Sequence, residues 1–311
     1  MALLIDIGHS GWMSEEELRD EILSHLPGAD IRLRDDFGDA SEITMLACSQ
    51  LRPDLPGVLP NLALVQKLGA GVETIVAHPS LAAHIRVTRL KPLAPAREIA
   101  EWTLTYILRD QRHVMHYATA QSKRLWDPRE PRQSSETRVA VLGLGHIGMT
   151  TAQLLRDLGF VTTGWSTTAK KMDGITCVHG PEALPALLPE QDFVVAILPS
   201  TGETRGLFDQ AMLSRMKPGA ALLNAGRGDL IDEAALIEAL DAGRPGSATL
   251  DVTHEEPLPA HSPLWTHPGV TITPHISGWH LGPALRDVAE NYRRLTAGAP
   301  LLHEVDRIRG Y

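Results

Sequence analysis

The chain has 311 residues, enough for two domains of ordinary size. With 43% hydrophobic and 22% charged residues it reads as a soluble globular protein, and a formal charge of -9 with scattered Arg and Lys argues against a nucleic-acid or anionic-membrane footprint. Its two cysteines, Cys48 and Cys177, stand far apart in no CxxC arrangement, so a disulfide framework and a thiolate metal site are both unsupported and a reducing compartment is the default.

The opening MALLIDIGHSGW lacks a basic leader and contains Asp6, which speaks against a secretory signal. No apolar run approaches the roughly 20 residues of a membrane span, and the expected location is cytoplasmic. Ala2 to Ile7 reads as a buried strand, followed by a capping-box signal, Ser14 with Glu17, for a helix to about His25. Ile31 to Leu33 and Thr44 to Cys48 read as further strands, and Leu62 to Val72 as a strand running into a glycine loop. This βα alternation predicts a small α/β unit over about the first ninety residues. The loop Leu68, Gly69, Ala70, Gly71 follows a strand's carboxyl end, where open α/β sheets bind ligands. Its backbone N–H groups suit a carboxylate; the alternative is a plain strand-to-helix turn.

Pro92 and Pro95 suggest a crossing between domains, after which Arg97 to Arg112 is helix-like. The stretch YATAQSKRLWDPREPRQSS, with Tyr117 and Trp126, reads as an irregular arm, either a surface loop or a partner contact. RVAVLGLGHIG, Arg138 to Gly148, then gives strand, glycine turn and helix in immediate succession. Gly143 suits the tight turn, Gly145 the backbone approach to a pyrophosphate, and Gly148 close helix packing, with the helix N-terminus open to an anion. The alternative is a structural glycine turn. Further strands are expected at Val161 to Trp165, Ile175 to Val178, Phe193 to Leu198, Ala221 to Ala225, Ala248 to Asp251 and Val270 to Thr273. Between them Asp209 reads as an N-cap with Gly219 after the stop, and Asp232 as an N-cap with Gly243 after the stop. The pattern is a doubly wound parallel sheet. Leu281 to Leu295 is helical in pattern.

Three polar residues fall at strand ends. Arg227, between glycines in NAGRG, suits a carboxylate, or is a surface turn arginine. Glu256, in DVTHEEPLP, could accept a hydrogen bond from an imidazole, or is a solvated loop carboxylate. His275, in TPHISG, could move a proton, or be structural. Together they form a machine for reducing a 2-oxo acid: His275 as proton donor, Arg227 binding the carboxylate and polarising the carbonyl, Glu256 fixing the imidazole's tautomer. No histidine and carboxylate cluster has metal-ligand spacing.

These residues, with KLGAGVETI, LGLGHIG, GWSTTAKK, LPSTGETRGL, LLNAGRGDLIDEAAL, ATLDVTHEEPLP, SPLWTHPGVTITPHISG and VDRIRGY, resemble the D-isomer-specific 2-hydroxyacid dehydrogenases, most closely the glyoxylate/hydroxypyruvate reductase A group. The resemblance implies two Rossmann-like domains: a dinucleotide-binding domain over residues 94–280, inserted into a smaller flavodoxin-like substrate domain of residues 1–93 and 281–311. It puts Arg227, Glu256 and His275 at the catalytic positions and Leu68, Gly69, Ala70 and Gly71, with Arg227 and His275, at the substrate. It further implies a homodimer built through the nucleotide domain, with the Trp126 arm at the contact. The cofactor set is Gly143, Gly145, His146, Ile147, Gly148, Trp165, Ser166, Thr167, Thr168, Lys171, Leu198, Pro199, Thr204, Ala225, Gly226, Arg227, Asp251, His275 and Gly278.

About 20 residues past the glycines, NAD-preferring folds carry an acid for the ribose 2′-OH. Here stand Trp165, Ser166, Thr167 and Thr168, then Lys170 and Lys171, hydroxyls and cations that suit a 2′-phosphate. NADPH is therefore favoured, with NADH open, because the resembling group carries an arginine where this chain has Thr167; the alternative is that the lysines open a solvated loop. Trp279 and His280 line the pocket, or Trp279 packs at a domain interface. Small acids such as glyoxylate and hydroxypyruvate are the implied substrates. Bulkier 2-oxo acids such as phenylpyruvate, and a non-catalytic NAD(P)-sensing protein, are the competing readings.

Overall fold

A computed structural model describes residues 1–7, 13–91 and 93–307. Pro92, residues 8–12 of the opening run and the last four residues of VDRIRGY lie outside them. The chain forms two compact units, one of Met1–Ala94 with Trp279–Tyr311 and one of Pro95–Gly278.

The first unit is a five-stranded parallel sheet in the order β2-β1-β3-β4-β5, with β1 at Ala2–Asp6, β2 at Ile31–Leu33, β3 at Ile43–Cys48, β4 at Leu64–Lys67 and β5 at Arg86–Arg89. Side chains alternate across it with the strand period of two. Leu3, Ile5, Met45 and Ala47 pack against Leu18 and Ile22 of the helix Glu15–His25 and Val288 and Ala289 of the helix Arg286–Ala297. Ala2, Leu4, Leu46 and Cys48 face Leu55, Leu59, Ile75 and Val305 on the other side. Strands covered on both faces read as continuous apolar runs. The capping box at Ser14 and Glu17 is formed on both arms. Burial pushes the Cys48 thiol up to about 12, against the lowering effect of Lys67, which takes it out of thiolate chemistry at neutral pH.

The second unit is a seven-stranded parallel sheet. Its strands are β6 at Arg138–Leu142, β7 at Val161–Ser166, β8 at Thr176–His179, β9 at Phe193–Ala196, β10 at Ala221–Asn224, β11 at Ser247–Leu250 and β12 at Val270–Ile272, in the order β12-β11-β10-β9-β6-β7-β8. The order reverses between β6 and β9, the switch point at which a doubly wound sheet opens a crevice for ligand. Val139, Val141, Val195 and Leu223 fill one face and Ala140, Leu142, Val194 and Leu222 the other. Each fully buried Val or Leu contributes about 1.5–3 kcal/mol of transfer free energy.

Three sequence expectations need correction. The arm's first residues, Tyr117 to Ser122, belong to the helix Val114–Ser122, and only the stretch from Arg124 to Gln133 is irregular, tied back by Gln111 to the carbonyl of Arg132 at 2.7 Å and by Tyr117 to that of Arg129 at 3.1 Å. Asp209 does cap a helix, but this helix is only Gln210–Leu213, ending six residues before Gly219, because the backbone tightens after it: Arg215 N–H bonds to Met212 at 3.1 Å and Met216 N–H to Leu213 at 3.0 Å, each to the carbonyl three residues back. By contrast Gly243 (φ +73) closes the helix Glu233–Asp241 in a Schellman arrangement, with Gly243 N–H to Leu240 and Arg244 N–H to Ala239. The third correction is β5, which no element expected from the sequence covered.

Candidate active site

The ends of three neighbouring strands carry the polar residues: Arg227 follows β10, Glu256 follows β11 and His275 follows β12. The flanking glycines of Arg227 are required by backbone packing. A Cβ at Gly226 would stand 2.7 Å from the Leu198 carbonyl oxygen, and one at Gly228 would drive into the Thr253 carbonyl. Both glycines let this turn nest between the ends of β9 and β11. Asn224, fully buried, locks it: its amide nitrogen donates to the Arg227 carbonyl at 2.8 Å and its oxygen accepts from Gly226 N–H at 3.0 Å.

His275 Nδ1 lies 2.7 Å from Glu256 Oε2, and Glu256 Oε1 accepts the Thr253 N–H at 3.1 Å. Burial pushes the Glu256 carboxyl up, yet the His275 hydrogen bond and charge, the Thr253 N–H and the Arg227 charge outweigh it and hold it below the ordinary glutamate value. A carboxylate on Nδ1 leaves Nε2, on the ring's far edge, for a substrate oxygen. The His275 backbone sits at φ +55, left-handed, a conformation that costs a non-glycine residue about 1–2 kcal/mol. Asp251 supports it. Its backbone carbonyl accepts the His275 N–H at 2.8 Å, and its carboxylate, 2% exposed, accepts Thr273 Oγ1 at 2.6 Å, Ile276 N–H at 2.9 Å and Ser277 N–H at 3.0 Å.

The glycine turn after β6 separates three roles. At Gly143 (φ +102) a Cβ would collide with the Ile197 carbonyl, and at Gly148 with the carbonyl of Gly143 itself. At Gly145, which precedes the helix His146–Asp157, a Cβ would meet no atom of the described residues within 4 Å. His146 is exposed and Ile147 half-buried in that first turn. Beyond β7, Thr167, Thr168, Lys170 and Lys171 are exposed and Ser166 donates to the Thr168 carbonyl at 2.8 Å.

Other residues expected at the cofactor have side chains already engaged by the protein. The Trp165 indole is packed in the core and donates to the Gly180 carbonyl at 2.8 Å, and its own carbonyl accepts the Gly143 N–H at 2.8 Å. Thr204 is buried, donating to the Pro199 carbonyl at 2.6 Å and accepting from Thr201 N–H at 2.9 Å. Asp251 braces the His275 turn. Leu198 and Ala225 are buried at strand ends, and Gly278 packs on Ile99 and Pro95. Asn224 and Thr273 were missed by sequence reasoning; a polar residue two positions before a glycine pair, and one opening an X-Pro-His corner, were the available signals.

On the first unit, Leu68 N–H donates to the Cys48 carbonyl at 2.8 Å, Leu90 N–H to that of Gly69 at 3.0 Å, and Arg89 Nη1 to that of Ala70 at 3.2 Å. In a trans peptide the N–H points opposite to the preceding C=O, so the amides of Ala70 and Gly71 are turned away from Leu90 and Arg89. Gly69, at φ +150, supplies the backbone this requires.

Among the described residues no group of three or more His, Cys, Asp or Glu could hold a metal ion, and no helix is long and apolar enough to cross a membrane. Residues 104–277 match the family model described as D-isomer specific 2-hydroxyacid dehydrogenase, NAD binding domain. The chain belongs to that dehydrogenase family. A glyoxylate/hydroxypyruvate reductase A of Yersinia enterocolitica is 35% identical over 294 residues, 93% of this chain and 94% of its own. The Serratia proteamaculans protein of the same name is 38% identical over 250 residues, 78% of this chain and 80% of its own. A D-isomer specific 2-hydroxyacid dehydrogenase from Xanthobacter autotrophicus Py2, solved with NADPH and MES, gives a TM-score of 0.92 at 38% identity, covering 100% of this chain and 99% of the other. An NADPH-dependent glyoxylate/hydroxypyruvate reductase from Sinorhizobium meliloti, solved with NADP and sulfate, gives 0.91 at 29% identity, with the same coverage of 100% and 99%. Within the family the similarity falls on the glyoxylate/hydroxypyruvate reductase A group, and this family member is an NAD(P)-dependent oxidoreductase.

Proposed function

We propose that the protein reduces a small 2-oxo acid of the glyoxylate or hydroxypyruvate kind to the D-2-hydroxy acid, using NADPH. The approach of His275 Nδ1 to Glu256 Oε2 at 2.7 Å carries this reading, because it prepares one imidazole edge to give up a proton while the other is held by a carboxylate. His275 Nε2 protonates the carbonyl oxygen and takes that proton back in the oxidation direction. Arg227 binds the substrate carboxylate and polarises the carbonyl, its planar fork matching both. The amides of Ala70 and Gly71, in the loop from Leu68, are assigned to the carboxylate as well. Bound NADPH would supply the hydride.

The cofactor assignment is supported by the open space over Gly145 and the free helix start after it, which fit a pyrophosphate. The exposed Thr167, Thr168, Lys170 and Lys171 fit a 2′-phosphate, with no acid among them to repel it. The relatives solved with NADPH or NADP point the same way. We assign the arm to a homodimer contact: Val114, Met115, Tyr117, Leu125 and Trp126 are all exposed, Trp126 to 96%. The free Cys48 and Cys177 suit a cytoplasmic enzyme.

The test is to mix purified protein with NADPH and glyoxylate, hydroxypyruvate, pyruvate or phenylpyruvate and follow nicotinamide absorbance. Fastest turnover is expected with the first two. Cofactor binding without reduction of any acid would favour a sensor instead.

A further inference from the structure

His275 is 54% exposed, so neighbouring side chains do not pack its ring into place. Where the imidazole points therefore depends on its bond to Glu256 and on the seat of its own backbone, which is held in the left-handed region. That seat is the Asp251 carboxylate, and a line of hydrogen bonds reaches it from a separate element. Trp102, on the helix Leu93–Gln111, places its indole Nε1 3.1 Å from Thr273 Oγ1, and Thr273 Oγ1 lies 2.6 Å from Asp251 Oδ1. The direction is fixed by chemistry. An indole N–H only donates, an ionised carboxylate only accepts, and the single hydroxyl proton between them must go to Asp251. Both ends are sheltered, Trp102 at 7% and Asp251 at 2% exposure, so water does not readily replace either bond. The indole also packs at a tilt against Tyr106, with ring centroids 5.0 Å apart and planes at 58°, a contact one turn along the same helix.

We infer that Thr273 and Trp102 are positioning residues for His275, acting in series through Asp251 to hold the proton-donating turn. The inference rests on the reading of His275 as proton donor. The Thr273 hydroxyl orients one carboxylate oxygen, the same oxygen that receives the Ile276 N–H next to His275. Without it, Oδ1 loses a charge-assisted partner and the turn is free to relax out of its strained backbone.

The experiment compares Thr273→Val, Thr273→Ser, Trp102→Phe, the Val/Phe double variant and His275→Asn in the full-length enzyme. It reads kcat with glyoxylate, the pH profile, NADPH affinity by fluorescence and Tm. Thr273→Val should lower kcat about tenfold and change the pH profile while NADPH affinity stays within about twofold, because misplacing a reacting group costs turnover before it costs binding. Thr273→Ser should restore most of the turnover. Trp102→Phe should lose less, and the double variant should be no worse than Thr273→Val alone, since the indole acts only through the hydroxyl. Additive losses, or a Thr273→Val enzyme with kcat within twofold of the parent, would overturn the series arrangement. So would loss of Tm, cofactor binding and turnover together without rescue by serine. If His275→Asn keeps full turnover, the proton-donor reading and this inference fall together. If it abolishes turnover while Thr273→Val is silent, only the inference falls.

Discussion

Glu256 Oε2 sits 2.7 Å from His275 Nδ1, and the two residues come from the ends of adjacent strands, β11 and β12. The carboxyl is held below the ordinary glutamate value, so Glu256 is ionised throughout the neutral range. Its depressed pKa means that its contribution to stability is complete above the unfolded-state value and is lost as pH falls through the lower folded value. Glu256→Gln should therefore melt below the parent at pH 7, and the two Tm values should converge as pH falls below the ordinary glutamate value of about 4.3. With 38% of the Glu256 side chain exposed, solvent screening keeps the difference under about 1 kcal/mol. The loss in kcat should be larger, about 10- to 100-fold, because the tautomer of the acid is no longer fixed.

His275→Asn should cost kcat about 100- to 10,000-fold, the usual contribution of a positioned acid, while NADPH affinity changes little. Arg227→Lys keeps the charge but not the fork, and should raise KM for glyoxylate at least about tenfold with a further fall in kcat. Steady-state kinetics and fluorescence titration separate these outcomes. A His275→Asn enzyme with near-parent kcat would remove the imidazole from the chemistry.

What could be read in advance divides along a physical line. Strands such as Val139–Leu142 are buried on both faces and sit against glycine turns, so composition and punctuation mark them. β5, RVTR, is four residues with charged ends, and nothing local distinguishes it from a loop; pairing with β4, and on its other side with the distant stretch His303 to Val305, makes it a strand. Val114–Ser122 keeps only Ala120 buried, so no apolar stripe announces it. In the site, Arg227, Glu256 and His275 were legible because each comes after a strand end. Asn224, Thr273 and Trp102 work through bonds to groups outside their own motifs, Trp102 and Thr273 being 171 residues apart. The spatial role of Asp251 was equally hidden: the family resemblance put it among the cofactor residues, and the partners of its carboxylate are backbone and hydroxyl.

Lys170 and Lys171 give a direct handle on cofactor choice. Replacing both with Ala should raise the KM for NADPH several-fold to tenfold and leave that for NADH unchanged, since only the former carries the 2′-phosphate. The effect should shrink as salt is raised from 50 to about 300 mM, because both side chains are exposed. Equal effects on the two cofactors would assign the lysines to a solvated loop.

The arm makes a prediction about assembly. Leu125 and Trp126 are 59% and 96% exposed, and an apolar pair presented this way at the end of a tied-back segment needs a cover. Sedimentation should show the parent protein as a dimer and Leu125→Ser/Trp126→Ser as shifted toward monomer. A parent that sediments as a monomer at micromolar concentration would refute the contact.

The sharpest separation of fold from function lies within one turn. Gly148→Ala puts a methyl group into the Gly143 carbonyl, a backbone clash that no side-chain movement relieves, so it should cost several kcal/mol or prevent folding. Gly145→Ala meets no atom of the described residues within 4 Å, and its φ of -81 is open to any residue. Its Tm should stay within about 2 °C of the parent, a surface-sized change. If the space over Gly145 holds a pyrophosphate, the same methyl group should weaken NADPH binding by about tenfold or more, because it pushes the anion off the helix start. Melting curves with and without NADPH read both quantities at once. A Gly145→Ala protein that melts normally and binds NADPH as tightly as the parent would move the pyrophosphate away from this turn.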